Sequence, residues 1–248
     1  MSLVLSKPFV FTFCQRMLAL SLLCFFTACA TRPTTLDPVQ ATSIQRVGVI
    51  SLLPNNLPVK KIGITVFNNE YKDLPVGNRF NDAARKGVES ALRASNKEVI
   101  QIHVPTEELA KKIRSAAIIF DSRAEQIKDE LLVIIRQNNL NAVVLILEDF
   151  DAENGVHGIW VHLRAGIGDV RSAVGKPDFS TLLVGQDTKY MATASDSRGG
   201  WFGVNRVQGT WTYNLEENLD TLTINELVSS FSTRIEQRAA SHIRQIGF

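Results

Sequence analysis

Glu148-Asp149-Phe150-Asp151-Ala152-Glu153-Asn154-Gly155 packs four carboxylates into six residues, the donor chemistry that suits Mg, Ca or Mn. The spacing does not make a calcium loop. Counted from Asp149, Asn154 takes the sixth position, where the turn needs glycine, and Trp160 takes the twelfth, where a bidentate Glu should stand. The run follows an apolar strand, at whose carboxyl end α/β proteins bind ligands. Asp149 and Asp151 are therefore candidate binding residues, and an acidic, solvated turn is the plainer account. No metal centre and no cofactor is expected.

The remaining reactive residues are scattered. His157 and His162 lie five residues apart, which on one strand places them on opposite faces and prevents chelation of one ion without a bulge. His103 and His242 stand alone. Gly166-Ile167-Gly168 lacks the third glycine of a dinucleotide fingerprint and reads as a strand bend. G-x-S-x-G, S-x-x-K and H-E-x-x-H do not occur, so no strong signature of serine or zinc hydrolysis is present. Aromatic residues gather in the later half. Trp160, Trp201, Trp211, Tyr190 and Tyr213 read mainly as core, but Trp201 sits in Arg198-Gly199-Gly200-Trp201-Phe202-Gly203, where flanking glycines make full burial hard. Trp201, and secondarily Trp160, could stack on a sugar ring or anchor a partner.

The N-terminus carries an address. Lys7 and Arg16 precede the apolar stretch Met17 to Phe26, and Phe26-Thr27-Ala28-Cys29 ends it with small residues before a cysteine, the order and length of a secretory signal. These four residues resemble the lipobox of bacterial lipoproteins, with Phe26 where that family has an aliphatic residue. Ala28-Cys29-Ala30 also fits an ordinary A-x-A cleavage site. The resemblance implies that Cys29 is acylated and becomes the first mature residue, giving a membrane anchor without a span. Ala30 is not the Asp that retains such proteins at the inner membrane, so the resemblance implies an outer-membrane lipoprotein facing the periplasm. Residues 1–28 then form the signal peptide and 29–44 a Thr/Pro-rich tether. The other two cysteines, Cys14 and Cys24, fall within the signal, leaving the folded part without a thiol for disulfide, zinc or nucleophile. Removing Lys7 and Arg16 from the 27 basic residues leaves 25 against 25 acidic ones, with no basic run to hold nucleic acid.

Residues 45–248 are expected to form a single α/β (α+β) domain. Arg46 to Leu53 and Ala142 to Leu147 are apolar runs that read as strands buried on both faces, and Lys61 to Phe67 reads as another. Helical spacing follows Asn78 in Phe80, Ala83, Ala84, Val88, Ala91 and Leu92. Val99 to Val104 is a short strand, and Thr106 caps a helix through Leu109 and Ile113. Ser122 and Glu125 make a capping-box pattern ahead of Ile127, Leu131 and Ile135. Strands alternating with helices predict a mixed central sheet covered by helices. Beyond residue 150, alternating Ile159, Val161 and Leu163, then 182–184, 189–193 and 204–213, predict an antiparallel meander, before a long amphipathic C-terminal helix from Ile224 to Ile246.

Arg46-Val47-Gly48-Val49-Ile50 after the tether, and Gln137-Asn138-Asn139-Leu140-Asn141-Ala142-Val143-Val144-Leu145 where helix runs into strand, resemble the small α/β domains of envelope lipoproteins in the curli-secretion and penicillin-binding-protein-activator group. The resemblance covers about a third of the chain and bears on fold more than function. The expectation is a non-enzymatic, lipid-anchored accessory with an envelope protein as partner. A metal-dependent hydrolase using residues 148–153, or a glycan-binding protein using Trp201, is the alternative.

Overall fold

A five-stranded mixed sheet lies between two helical layers in the computed structural model, which describes residues 35–62, 69–102, 104, 106–114, 125–151, 156–165, 171–195 and 224–248. The elements, in chain order, are α1 (Pro38–Ser43), β1 (Arg46–Leu52), β2 (Asn56–Ile62), β3 (Glu70–Pro75), α2 (Arg79–Ala94), β4 (Glu98–Gln101) and α3 (Thr106–Arg114). A 3-10 turn at Glu125–Ile127 leads into α4 (Lys128–Gln137) and β5 (Ala142–Glu148). Then follow β6 (Phe150–Asp151), β7 (Val156–His157), β8 (Ile159–Ala165), β9 (Arg171–Pro177), β10 (Phe179–Gly185), β11 (Tyr190–Ser195) and α5 (Ile224–Ile246). The expected α/β fold, with its mixed sheet and long C-terminal helix, is the fold observed.

The central sheet runs β11-β10-β5-β1-β4, with β1 parallel to β4 and β5, and β10 antiparallel to β5 and β11. Its middle strands are apolar on both faces because both are covered. Val47 and Val49 of β1, with Val144 and Ile146 of β5, face α2 and α5. Ile50 and Leu52, with Val143, Leu145 and Leu147, face α3, the 3-10 turn and α4. The stripe Leu227, Val228, Phe231, Ile235, Ala239, Ile243 and Ile246 is at most 2% exposed, so α5 closes the core. Gly87 lets α2 approach it closely: a Cβ there would lie 2.1 Å from the Glu236 carbonyl oxygen.

A second sheet, β3-β2-β8-β9, grows from strands leaving the first. β2 pairs antiparallel with β3 and parallel with β8, and β8 pairs antiparallel with β9. The expected single meander is thus divided between two sheets: β8 and β9 belong to the second, while β10 and β11 extend the first. Asp178 alone separates β9 from β10. The strand expected at Lys61 starts earlier, at Asn56, and includes Pro58. Pro58 costs no ladder bond to β8, because that pairing begins at Val59. The strand β3 had no sequence expectation, since Leu74 is its one buried residue. The segments 63–68 and 204–213, and Ser122 of the capping box, lie outside the described residues.

The part of the expected tether that the structure describes, residues 35–44, belongs to the folded domain. From Thr35 onward the chain is folded against the domain: Leu36 and Ile44 are buried, the Leu36 N–H donates to the Ile246 carbonyl at 2.7 Å, and Asp37 caps α1 through Val39 N–H. Two apolar residues flanking a six-residue helix dock it, a signal that the Thr/Pro/Gln composition hides. Pro33–Phe248 form one compact unit; Met1–Arg32, a separate unit containing Cys29, lies outside the described residues.

Candidate functional site at the carboxyl edge of the parallel strands

The chain winds from β1 to β4 on one side and then crosses back to β5 on the other, with α2 on one face of the sheet and α3 and α4 on the opposite face. Reversal of winding opens a crevice beyond the strand carboxyl ends, because the flanking connections diverge to opposite faces. A cavity of about 340 Å³ occupies that place, within the range of small-molecule sites. Its walls come from the segment after β1 (Leu53, Pro54, Asn55, Asn56), the end of β5 (Glu148), and the first turn of α3 (Thr106, Glu107), with Ala110 and Pro58 alongside.

The wall after β1 is held rigidly. Asn81, 6% exposed on α2, accepts from Leu53 N–H at 2.8 Å and donates to Leu53 C=O at 3.0 Å. Asn55 C=O accepts from Val76 N–H and Gly77 N–H at 2.8 and 3.1 Å. Opposite, Gly158 has φ +68°, and a Cβ there would lie 2.7 Å from Glu148 Oε2. The bare glycine backbone leaves room for the Glu148 carboxylate to line the cavity.

The acidic run divides. Glu148 reaches the cavity, whereas Asp149, the next residue, turns to the other side of the pleat and is 5% exposed. Ser180 Oγ donates to its Oδ1 at 2.5 Å and Ser195 Oγ to its Oδ2 at 2.9 Å. Each carboxylate oxygen of Asp149 therefore accepts from a serine that pins β10 and β11 to the end of β5. The solvated acidic turn expected around Asp149 is corrected here: the residue is a buried structural acceptor. Asp151 lies in β6, paired with Val156 of β7, and Glu153 lies outside the described residues. Among the described residues there is no cluster of three metal-ligating side chains.

Trp160 takes the core role read for most of the aromatics, and its secondary candidacy as a stacking residue is corrected: it is 4% exposed, with its ring centroid 4.1 Å from that of His162, itself buried. Trp201 and His103 lie outside the described residues. His157 and His162 do not share one strand, because Gly158 at positive φ separates β7 from β8. His242 is buried between α5 and β10, its Nδ1 2.9 Å from Thr181 Oγ1.

Apart from Glu148, which opens the acidic run 148–153, the described cavity residues were not among those expected to form a site. Asn81 carried the one available signal, a polar amide on the buried stripe of an amphipathic helix, which demands backbone partners. No helix among the described residues is long and apolar enough to cross a membrane. Compared with known proteins, the chain matches no protein-family model and no curated protein sequence.

Proposed function

We propose that this protein is a lipid-anchored accessory of the bacterial cell envelope, acting by binding rather than by catalysis. The observation that carries the binding role is the cavity at the winding reversal, walled by amides, carboxylates and apolar groups. Its described lining residues are mostly amide and apolar groups, with the Thr106 hydroxyl and the Glu107 and Glu148 carboxylates among them, a wall that supplies contacts and shape for a ligand. The anchor is supported by Phe26-Thr27-Ala28-Cys29, and Cys29 is the residue proposed to carry the acyl chains, palmitate among them, at the periplasmic face of the outer membrane.

The test is mass spectrometry and fractionation of the protein and its Cys29→Ala variant from a native host. Acyl mass on Cys29 and loss of membrane attachment in the variant are expected. A soluble, unacylated wild type would refute the anchor. Affinity capture of folded, membrane-attached protein without a reproducible envelope partner would refute the accessory role.

A further inference from the structure

We infer that the cavity between the β1 and β5 carboxyl ends takes an alkylammonium group, an amine on a short aliphatic chain. This deepens the binding-module reading and rests on it. The winding-reversal crevice of an α/β sheet commonly receives phosphate, held by free backbone N–H groups of a glycine-rich turn. The segment after β1 is poor in such groups. Pro54 and Pro58 have no N–H, and Leu53 N–H already donates to Asn81. The N-terminus of α3 would attract an anion, but Glu107 and Glu108 occupy its first turn and supply that negative charge from within the chain.

The remaining charge favours a cation. Glu107 and Glu148 line the cavity from two different elements, and none of its described lining residues is Lys, Arg or His. Asn55 and Asn56 add side-chain carbonyls that can accept from an ammonium's three N–H groups. Leu53, Pro54, Pro58 and Ala110 provide an apolar surface along which methylenes can lie. Acidic, amide and apolar walls around one cavity match the two halves of an alkylamine. Its source is either a free diamine or a lysine side chain of a peptide.

Calorimetric titration of the full chain with cadaverine, with the capped peptide Gly-Lys-Gly, and with glutarate as an anion of the same length tests the inference. Saturable binding of cadaverine or the peptide is expected, and the stronger of the two identifies the source. Replacing Glu107 and Glu148 together by Gln should weaken it at least about tenfold. Glu236→Gln, which removes a carboxylate on α5 that is paired with Lys86 of α2 and does not line the cavity, should leave it unchanged. Ala110→Leu, which fills the cavity by a small apolar change, provides a second variant whose fold is checked by circular dichroism. Glutarate binding as tightly as cadaverine, full affinity in both cavity variants, or no heat from either amine at about 10 mM would overturn the inference. None of these results touches Cys29 attachment or partner capture, so the failure of one proposal is distinct from that of the other.

Discussion

Replacing Gly87 by Ala puts helix propensity and tertiary packing in direct opposition. Propensity favours alanine inside α2 by ~1 kcal/mol. Packing opposes it, because the added Cβ would stand 2.1 Å from Glu236 O, 2.9 Å from its carbonyl carbon and 3.1 Å from its Cα, all backbone atoms that no rotamer change can move. Restoring ordinary contact at 3.4 Å requires α5 to retreat by about 1.3 Å at that point. A gap of ~1 Å forfeits up to half the dispersion attraction between facing atoms. If about a third of the ~50 contacts of a buried side chain cross the interface at ~0.15 kcal/mol each, the loss is roughly 1 kcal/mol per side chain. Phe80, Val88, Phe231 and Ile235 face that gap, and the rings of Phe80 and Phe231 now stand 6.0 Å apart. The four together lose ~4 kcal/mol, and subtracting the propensity gain leaves ~3 kcal/mol of destabilisation. For a domain of this size that is a fall in Tm of roughly 6–12 °C. Urea unfolding followed by circular dichroism measures it, with an unchanged m-value showing that the two states are the same. Gly77→Ala is the control: its φ of +58° costs about 1 kcal/mol for a side chain, and nothing lies within 4 Å of its Cβ. A Gly87→Ala protein as stable as the wild type, or more so, would refute the α2–α5 packing described here.

Asn81→Ala should cost about 2–4 kcal/mol by stranding the N–H and C=O of Leu53 in a buried wall, read as a lower urea midpoint. Asp149→Ala should cost about 1–3 kcal/mol, chiefly through the buried Ser180 hydroxyl it strands, the half-buried Ser195 adding less, while Asp149→Asn recovers most of that. Millimolar Mg or Ca should leave the wild-type Tm unchanged, and a rise abolished by Asp149→Ala would contradict the buried-acceptor role. The hydrogen bond from Lys112 on α3 holds the Glu130 carboxyl on α4 below its ordinary 4.5, assisted by its own backbone N–H and the Lys112 charge. That pair's contribution is present above pH 4.5 and is lost as pH falls through the lower folded value. The same bond raises Lys112 above 10.5, so on the alkaline side the contribution is present below 10.5 and lost as pH rises through the folded value. The small Tm difference between the wild type and Glu130→Gln should therefore vanish at both extremes, and a difference that grows in acid would show the sign to be wrong.

Elements whose signal is local were legible in the sequence. The apolar runs of β1 and β5, the stripes of α2 and α5 and the acidic first turn of α3 each follow from a few neighbouring residues. β3 escaped because an edge strand buries little, and α1 because the two residues that dock it lie outside it. The strand containing Pro58 was misplaced because a proline reads as punctuation until the neighbour's register is known. The alternation after residue 158 gave strands but not sheets, since period two fixes which face a residue takes and not which strand lies beside it.

By itself, the sequence determined a chain of alternating strands and helices with a long amphipathic helix at its end, and it supplied the residues on which the proposed address at Cys29 rests. Tertiary structure alone decided the site. Residues 53–56, 81, 106–110 and 148 meet only because the winding reverses at β1, and the split between Glu148 and Asp149 follows from the pleat and the neighbours on either side. Two adjacent carboxylates are equivalent in the sequence. In the fold one lines a cavity and the other is buried under two serines, because neighbouring residues of a strand point to opposite faces.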